Sequence, residues 1–412
     1  MLPFSQDDTS AWPIDSREWA LHYRAASELV GLTGVHDRLA GLYPFYHRPA
    51  TALEPSSQAG RILERMDQGA ASLQTLGLTF GRSRLAVQAS SCRACGHCLT
   101  GCVYDAIYST RKTLQVLERD PGFRYLSNVE VRACRDEGSE AVVSFRDRST
   151  GTAHELRASR AFIAAGVLGT AKIVVASLGM TRATLNLSYH PYFLLPMLTL
   201  RNQPGVTTEK LHALAQGFIE VVDRTICRHT VHMQLYTYSP LFARRLAALG
   251  PLGSVARAFL VGRLVAIQGF LSSLETDPIR MDVALASNDT ARIRMEGSLS
   301  SNAKVVMRRV SRRLLRATRH TGLLPLNMAM EIGEPGDGNH IGCTFPMSRT
   351  PTGLQSDTQG RVGGARRVHV VDASVLPSIP ASTITLGVMA NARRIAEASL
   401  VLDAEELPCA SP

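Results

Sequence analysis

The chain has 412 residues, of which 45% are hydrophobic, and a formal net charge of +10 from 45 Lys and Arg against 35 Asp and Glu. This length and composition allow one large or two medium cores and exclude a disordered chain. Only four of the basic residues are lysines, and the arginines are spread along the whole chain. Such a spread is typical of a compositional bias, so we expect no nucleic-acid partner.

The predicted elements begin with helical periodicity over 14–42 and a second helix over 61–76. The next predicted elements are a helix from 112, a strand within 123–134 and a hairpin of strands at 140–146 and 153–157. A βα unit follows over 158–179, and strand-like stretches lie around 229–238 and 292–299. The last predicted elements are an arginine-rich helix at 308–320 and a strand, loop and helix over 366–402. Alternating helices and strands predict a mixed α/β fold.

Four cysteines, Cys92, Cys95, Cys98 and Cys102, lie between the second and third predicted helices with the spacing C-x2-C-x2-C-x3-C. This spacing is typical of the run that wraps a cubane iron–sulfur cluster in bacterial ferredoxins, although Val103 follows the last cysteine where proline is usual. A zinc site usually draws on two separated C-x2-C pairs. Zinc and free thiols remain as alternatives, and a disulfide is disfavoured because no secretory segment is visible.

The segment AAGVLG, which contains Ala165 and Gly166, follows a buried apolar strand and precedes a helix. This order is typical of a βα unit that cradles a phosphate or a cofactor, but many βα turns contain two glycines. In the arginine-rich helix, a solvated face is the simple interpretation, and an acidic partner or a membrane surface is the alternative.

The sequence predicts no transmembrane segment, since the most apolar long window, around 252–272, is interrupted by Arg257 and Arg263. The first 20 residues lack the basic-then-apolar plan of a signal peptide, so we expect a cytoplasmic location.

The run GNHIGCTFPM at 338–347, with VVDAS at 370–374 and the helix that follows, resembles the C-terminal signature of the glucose–methanol–choline (GMC) oxidoreductases. The segment WPI at 12–14 and the AAG segment are similar to further parts of that family. The resemblance thins over 181–335. It implies a partial Rossmann-like FAD-binding domain over 1–180, with the cysteine loop at 85–110, a substrate domain over 181–335, and a C-terminal segment over 336–412 that returns to the flavin domain.

The resemblance also assigns roles to residues. His340 matches the histidine that takes the hydroxyl proton while a hydride leaves for the flavin. Cys343 stands where the family usually has glycine, which places the geometry of this turn in question. The second active-site residue would fall near Thr383, which can donate a hydrogen bond but is a poor base. The residues implied to face FAD are Val131, Ala165, Gly166, Asp372, Ala373, Thr383 and Ile384.

The cysteine run lies where a cluster-bearing branch of this family, the sugar dehydrogenases, places a C-x5-C-x3-C triad. Cys92, Cys98 and Cys102 reproduce that spacing and Cys95 is an additional thiol, so both 3Fe-4S and 4Fe-4S clusters stay open. Electrons would then leave to an acceptor protein or a quinone.

The G-x-G-x-x-G unit with which members of this family begin is missing from the sequence. The interpretations are a second chain that supplies this unit, a truncated gene product, or a loss of flavin binding. The leading hypothesis is an FAD-dependent dehydrogenase acting on the CH–OH group of an alcohol or a sugar. The rival is a non-catalytic electron-transfer or scaffold subunit.

Overall fold

The computed structural model describes residues 1–238, 260–286 and 291–406. Its α-helices are α1 (Gln6–Thr9), α2 (Ser16–Val30), α3 (Ser57–Gln68), α4 (Ala70–Thr75), α5 (Thr110–Leu117), α6 (Val167–Ser177), α7 (Ser301–Thr321) and α8 (Thr385–Glu406). Its strands are β1 (Leu78–Arg82), β2 (Val129–Asp136), β3 (Ala141–Asp147), β4 (Ala153–Ala158), β5 (Ala161–Ile163), β6 (Arg182–Tyr189), β7 (Tyr192–Thr199), β8 (Gly217–Val221), β9 (Val231–Tyr236), β10 (Leu264–Phe270), β11 (Ile279–Leu285), β12 (Ala291–Glu296), β13 (Leu323–Pro325), β14 (Glu331–Ile332), β15 (Ile341–Gly342) and β16 (Val368–Val370).

The largest sheet has seven strands in the order β1-β8-β9-β10-β7-β13, with β14 also paired to β7. A second sheet has the order β12-β11-β6-β15, and β2-β3-β4 form a three-stranded antiparallel meander. Strands β5 and β16 form a two-stranded parallel sheet. The mixture of helices with parallel and antiparallel strands confirms the predicted α/β class.

The predicted elements are largely present, with shifted ends. The helix predicted over 14–42 ends at Val30, because Gly31 adopts a left-handed conformation with φ 60° and its N–H bonds back to the last turn. The helix predicted over 61–76 is divided at Gly69 into α3 and α4. A β-carbon at Gly69 would lie 2.9 Å from His320 Cβ, so the division falls where the chain passes against α7.

The arginine-rich helix is confirmed as α7. Ser300 caps its start by accepting a hydrogen bond from the Ala303 amide, and Gly322 ends it with φ 71°. Its buried face consists of residues spaced three and four apart, including Ala303, Val306, Met307, Val310, Leu314 and Ala317. Arg313 differs from the exposed arginines of this helix, because its guanidinium pairs with Asp223 Oδ2 at 2.7 Å.

Two hydrophobic cores organise the described residues. The first lies between α2, α6, α8, β5, β16 and the sheet that contains β6 and β11. The second lies between the seven-stranded sheet, α3 and α7. Residues 57–82 therefore pack in the second core, and β6 and β11 pack in the first, so the cores do not follow a boundary near residue 180. The domain limits stay a prediction.

Among the described residues, no helix combines the length and the apolar composition that crossing a membrane requires. The window at 252–272 lies partly outside the described residues.

Candidate active site and cysteine cavity

The parallel pair β5 and β16 brings two predicted segments to one edge of a sheet. From β5 the chain continues through Ala165 and Gly166 into α6, and from β16 through Asp372 and Ala373 into a 3₁₀ turn. Since the strands are parallel and in register over three residues, their carboxyl ends coincide. Ligands of open parallel sheets bind at this edge. The four residues thus lie together at this edge, and their contact with FAD stays a prediction.

A hydrogen bond joins the two segments. Thr170 Oγ1, in the first turn of α6, donates to Asp372 Oδ2 at 2.5 Å, and Asp372 Oδ1 accepts from the Ser374 amide at 2.9 Å. Gly166, with φ 72°, begins α6 without a side-chain cap. The first amides of this helix are therefore available to an anionic group.

Three buried hydroxyl groups in the C-terminal segment have no hydrogen-bond partner among the described residues, namely Thr344 Oγ1, Ser374 Oγ and Ser382 Oγ. Buried polar atoms are nearly always satisfied, so unpartnered ones indicate a missing ligand or water. These hydroxyls, together with the exposed Ala165–Gly166 turn, fit a polar cofactor at this edge.

The turn after His340 packs directly on Ala373. The Cys343 amide donates to the Ala373 carbonyl at 3.0 Å, and a β-carbon at Gly342 would lie 2.4 Å from the same oxygen. Cys343 adopts a φ of 64°, the left-handed region that favours glycine. This explains why glycine suits the position, and it shows that the turn forms with cysteine there.

The chain passes between the two cores close to His340. His340 lies between β14, which pairs with β7, and β15, which pairs with β6. His190 lies between β6 and β7 themselves, and Phe270 ends β10 before the chain returns to β11. Because β6 and β11 belong to the first core while β7 and β10 belong to the second, the side chains at these crossings meet at the junction.

The rings at this junction are in contact. The centroids of His190 and His340 are 4.5 Å apart and meet edge to face, and Phe270 stacks on His190 at 4.4 Å. The His190 amide donates to the His340 carbonyl at 3.3 Å. Both ring nitrogens of His190 and Nδ1 of His340 have no hydrogen-bond partner among the described residues.

Burial sets the charge of both imidazoles. Desolvation lowers the pKa of His340 to about 4. Desolvation, helped by the positive charge that His340 and His232 carry when protonated, lowers the pKa of His190 well below its usual value. The carbonyl of Pro380 opposes this shift in His190 without forming a hydrogen bond of ordinary geometry. Both rings are therefore neutral near pH 7, and a neutral imidazole has one donor and one acceptor nitrogen.

The segment that contains Thr383 and Ile384 lies nearby. Pro380 faces His190, and Thr383 Oγ1 accepts a hydrogen bond from the Leu2 amide at 3.3 Å. The Ile384 carbonyl accepts from the Val388 amide at 2.9 Å in the first turn of α8. Thr383 thus has a partner in the chain itself, which leaves it less free to act on a substrate than the unpartnered imidazoles.

Val131 lies on β2, which packs against α6. The pairing of β2 with β3 shifts register between Val131 and Ala133, as in a β-bulge. Bulges interrupt a ladder and are frequent next to functional sites. The backbone around Val131 is therefore irregular at a position that the resemblance implies to face FAD, and that role stays a prediction.

A second buried polar group was not found by sequence reasoning. His232 Nδ1 lies 2.7 Å from Glu220 Oε1, and Tyr43 donates to Glu220 Oε2 at 3.2 Å. The His232 ring lies 6.2 Å from Phe270, on which His190 also stacks. The sequence spacing of His190 and His232 carries no motif, so their placement beside His340 follows from the sheets alone.

The four predicted cluster cysteines line one cavity, together with residues such as Arg93, Tyr104 and His212. Three of the sulfurs accept backbone amides: Cys92 Sγ from Ala94 at 3.4 Å, Cys98 Sγ from Ala213 at 3.4 Å and Cys102 Sγ from Ala106 at 3.3 Å. Such N–H···S bonds stabilise thiolate ligands. The loop wraps the cavity with left-handed residues, including Ala94 at φ 49° and Gly101 at φ 107°.

The thiol pKa values differ within this cavity. Burial, with smaller contributions from the Cys92 and Cys95 thiols, raises the pKa of Cys98. Burial also acts to raise the pKa of Cys102, but the amides of Ile107, Ala106 and Tyr104 outweigh it and the pKa is lowered.

Within the described residues, no group of three His, Cys, Asp or Glu side chains is close enough to hold a metal ion. Ligands that share one tetrahedral zinc at about 2.3 Å lie about 3.8 Å from each other. The cysteines therefore do not form a single-ion site as placed, and this counts against the zinc alternative. Among the described cysteines none is in a disulfide, and Cys409 lies outside them.

Residues 269–392 match a family model described as GMC oxidoreductase. No curated protein matches the chain. Among solved structures, the chain is similar to an FAD-dependent oxidoreductase from Chaetomium thermophilum, determined with a bound butanamide fragment, at 14% identity and a TM-score of 0.57 over 98% of this chain and 84% of that one. It is also similar to a pyridoxine 4-oxidase from Mesorbium loti, at 16% identity and a TM-score of 0.50 over 87% and 74% of the two chains. At these identities the likeness shows a common fold.

Proposed function

We propose that this chain, whose residues 269–392 match the GMC oxidoreductase family model, is a flavin-dependent dehydrogenase of that family acting on the CH–OH group of an alcohol or a sugar. The observation that carries this proposal is His340, a partly buried imidazole whose Nδ1 has no hydrogen-bond partner in the part of the chain that the structure describes. It stands at the junction of the two cores, on a turn bonded to Ala373. A neutral imidazole so placed is able to accept a hydroxyl proton.

A bound flavin would supply the acceptor for the hydride, and the protein would supply the rest. Ala165, Gly166 and Asp372 would hold the cofactor at the carboxyl edge of β5 and β16. The start of α8, at Ile384, would favour negative charge through its free amides. The sequence has no G-x-G-x-x-G, so the pyrophosphate site would need a unit from outside these 412 residues, such as a second chain.

The test is the rate of flavin reduction in the flavin-loaded assembly, measured anaerobically by stopped flow with a panel of primary alcohols and sugars. His340→Ala is expected to slow reduction by roughly 10²–10⁴-fold, because the hydroxyl proton then has no acceptor. Flavin binding should persist. His154→Ala, which changes an exposed histidine on β4, is the matched control and should behave as the parent does.

Two results would reject this function. If His340→Ala reduced its flavin at the parental rate, His340 would not be the base. If the assembly bound no flavin, the rival hypothesis of an electron-transfer or scaffold subunit would be favoured.

As a second part of the proposal, the cysteine cavity binds an iron–sulfur cluster through which electrons leave to an external acceptor, a protein or a quinone. Its support is the donor set of Cys92, Cys95, Cys98 and Cys102 around one cavity and the amide hydrogen bonds to three of the sulfurs. A cluster spreads its thiolates farther apart than one ion does, so the lack of a single-ion site does not oppose it.

The cluster is tested by iron and sulfide analysis and by electron paramagnetic resonance on anaerobically purified protein. Cys98→Ser is expected to lose most of the iron, because this sulfur is half-buried in the cavity and already bonded to the Ala213 amide. Cys95→Ser separates the cluster types, since a 3Fe-4S cluster held by the other three cysteines would survive it. Cys134→Ala, a buried cysteine outside the cavity, is the control. Zinc without iron in the parent would contradict the proposal.

A further inference from the structure

His190 has the features of a residue that is buried for a ligand. It is 1% exposed, and neither ring nitrogen has a hydrogen-bond partner among the described residues. Desolvating a polar group without giving it a hydrogen-bond partner destabilises the folded protein. A structural histidine in the same protein avoids that cost, because Nδ1 of the buried His369 lies 2.9 Å from the Gln359 carbonyl.

The ring of His190 is held in place on several sides. Phe270 stacks on one face at a centroid distance of 4.4 Å, and His340 meets it edge to face at 4.5 Å. A β-carbon at Gly338 would lie 2.8 Å from the His190 carbonyl oxygen and 3.0 Å from His190 Cδ2, so glycine lets this turn approach the ring closely. Such constraints fix the ring orientation without using its nitrogens, which is the arrangement expected of a preorganised donor.

We propose that His190 is a second catalytic imidazole, which donates a hydrogen bond to the substrate hydroxyl oxygen while His340 accepts the hydroxyl proton. This inference rests on the proposed function and deepens it. The adjacency of the two rings and their three unpartnered nitrogens carry it. Thr383, the residue implied by the family resemblance, already accepts a hydrogen bond from the Leu2 amide and is the weaker candidate.

The step balances with these two residues and a flavin as the two-electron acceptor. The substrate O–H bond breaks and its proton passes to His340, while the carbinol C–H bond breaks and its electron pair leaves with the hydrogen as hydride for the flavin. The oxygen becomes the oxygen of a C=O bond. As negative charge develops on that oxygen, the neutral His190 ring stabilises it by donating its N–H.

The first test does not depend on turnover. In the full chain labelled with ¹⁵N-histidine, the ring-nitrogen shifts of His190 and His340 are followed while glycerol, glucose or benzyl alcohol is added. We expect at least one of these probes to move both sets of shifts, and His190→Phe to weaken the response of His340. If no probe moves the His190 nitrogens, or if the shifts are confined to His340, the inference is wrong.

The second test uses the flavin-loaded assembly and the same alcohols. His190→Phe is expected to slow flavin reduction by roughly 10²–10³-fold, the effect of losing one preorganised donor. His190→Gln keeps an N–H donor and should recover part of that loss. It also serves as the second variant if His190→Phe does not fold, as judged by its thermal melt.

The control is His22→Phe. His22 is 8% exposed, and its Nδ1, 3.6 Å from Glu397 Oε2, also lacks a hydrogen-bond partner among the residues that the structure describes. It lies on α2 and faces Glu397 of α8, away from His190 and His340, so His22→Phe should leave the rate unchanged. Parental rates in both His190 variants would overturn this inference while leaving the dehydrogenase proposal intact. A parent that reduces no flavin with any alcohol, but whose His190 nitrogens respond to the probes, would overturn the dehydrogenase proposal instead.

Discussion

At the scale of single residues, the buried polar side chains fall into two groups. Glu220 is 0% exposed and satisfied by His232 and Tyr43. His190 is equally deep but has no partner for its ring nitrogens among the described residues. A satisfied buried group supports the fold, whereas an unsatisfied one weakens it. Glu220 is therefore expected to matter for stability, and His190, which lies against His340, for the substrate.

The contribution of Glu220 to the stability of the protein is tested by Glu220→Ala. Breaking a buried pair leaves the remaining partner without compensation, so the free energy of unfolding should fall by about 3–5 kcal/mol. The control is Arg38→Ala, which breaks a 2.8 Å pair with Asp67 whose side chains are 51% and 67% exposed. That change should cost at most about 1 kcal/mol. Urea unfolding followed by circular dichroism measures both, and equal losses would contradict the distinction.

At the scale of elements, strand β10 shows how a backbone position builds the site. Gly269 pairs with Phe193 on β7, and a β-carbon there would lie 2.2 Å from Cζ of that buried ring. The next residue, Phe270, is the one that stacks on His190. Glycine thus lets a large aromatic ring fill the second core while its neighbour reaches the junction.

Gly269→Ala should therefore lower the free energy of unfolding by about 1–3 kcal/mol, the usual cost of overpacking a core. Gly60→Ala is the matched control within α3. A β-carbon at Gly60 would meet no atom within 4 Å, so alanine should raise stability by about 0.5–1 kcal/mol through its helix propensity. The same unfolding experiment measures the expected loss in Gly269→Ala and the expected gain in Gly60→Ala. An unchanged free energy of unfolding in Gly269→Ala would show that the Phe193 ring moves aside at little cost.

At the scale of the whole molecule, the two cores meet where the chain crosses between them, and the crossings carry His190, Phe270 and His340. Pockets form preferentially at such interfaces, because neither core covers the surface alone. The same burial makes stability depend on pH. The pKa values of His212 and His340 are each lowered to about 4, chiefly by desolvation, and that of His190 lies well below its usual value.

The sign of this dependence follows from the direction of the shifts. A histidine whose pKa is lower in the folded state takes up its proton only on unfolding. Its contribution to the free energy of unfolding is therefore complete above pH 6.5 and is lost as the pH falls towards about 4. For the buried His212 the shift corresponds to about 3 kcal/mol. Asp8 opposes the histidines, because desolvation raises its pKa to about 6 and protonation then favours the folded state.

We therefore expect the urea midpoint to fall between pH 6.5 and 4.5, and the fall to be smaller in His212→Gln. A midpoint that rises on acidification would show that Asp8 outweighs the histidines.

The local elements and the segments that carry chemistry could be predicted from the order of residues alone. Helix α7 was predicted from the arginine-rich run at 308–320, and the hairpin β3–β4 and the turn at Ala165–Gly166 were predicted from residues within a few positions of each other. These features depend on hydrogen bonds and periodicities that close over short distances in the chain, so they are visible in the order of residues. The spacing of the four cysteines belongs to the same class, and they line one cavity.

Contacts between residues far apart in the chain follow from the packing of the sheets. His190, between two strands, comes to lie against His340 because β6 pairs with β15 while β7 pairs with β14. His232 and Glu220 face each other because β8 pairs with β9. The division of the cores likewise places residues 57–82 with the later sheet. Such contacts depend on how sheets and helices pack to bury apolar surface, which no local pattern encodes.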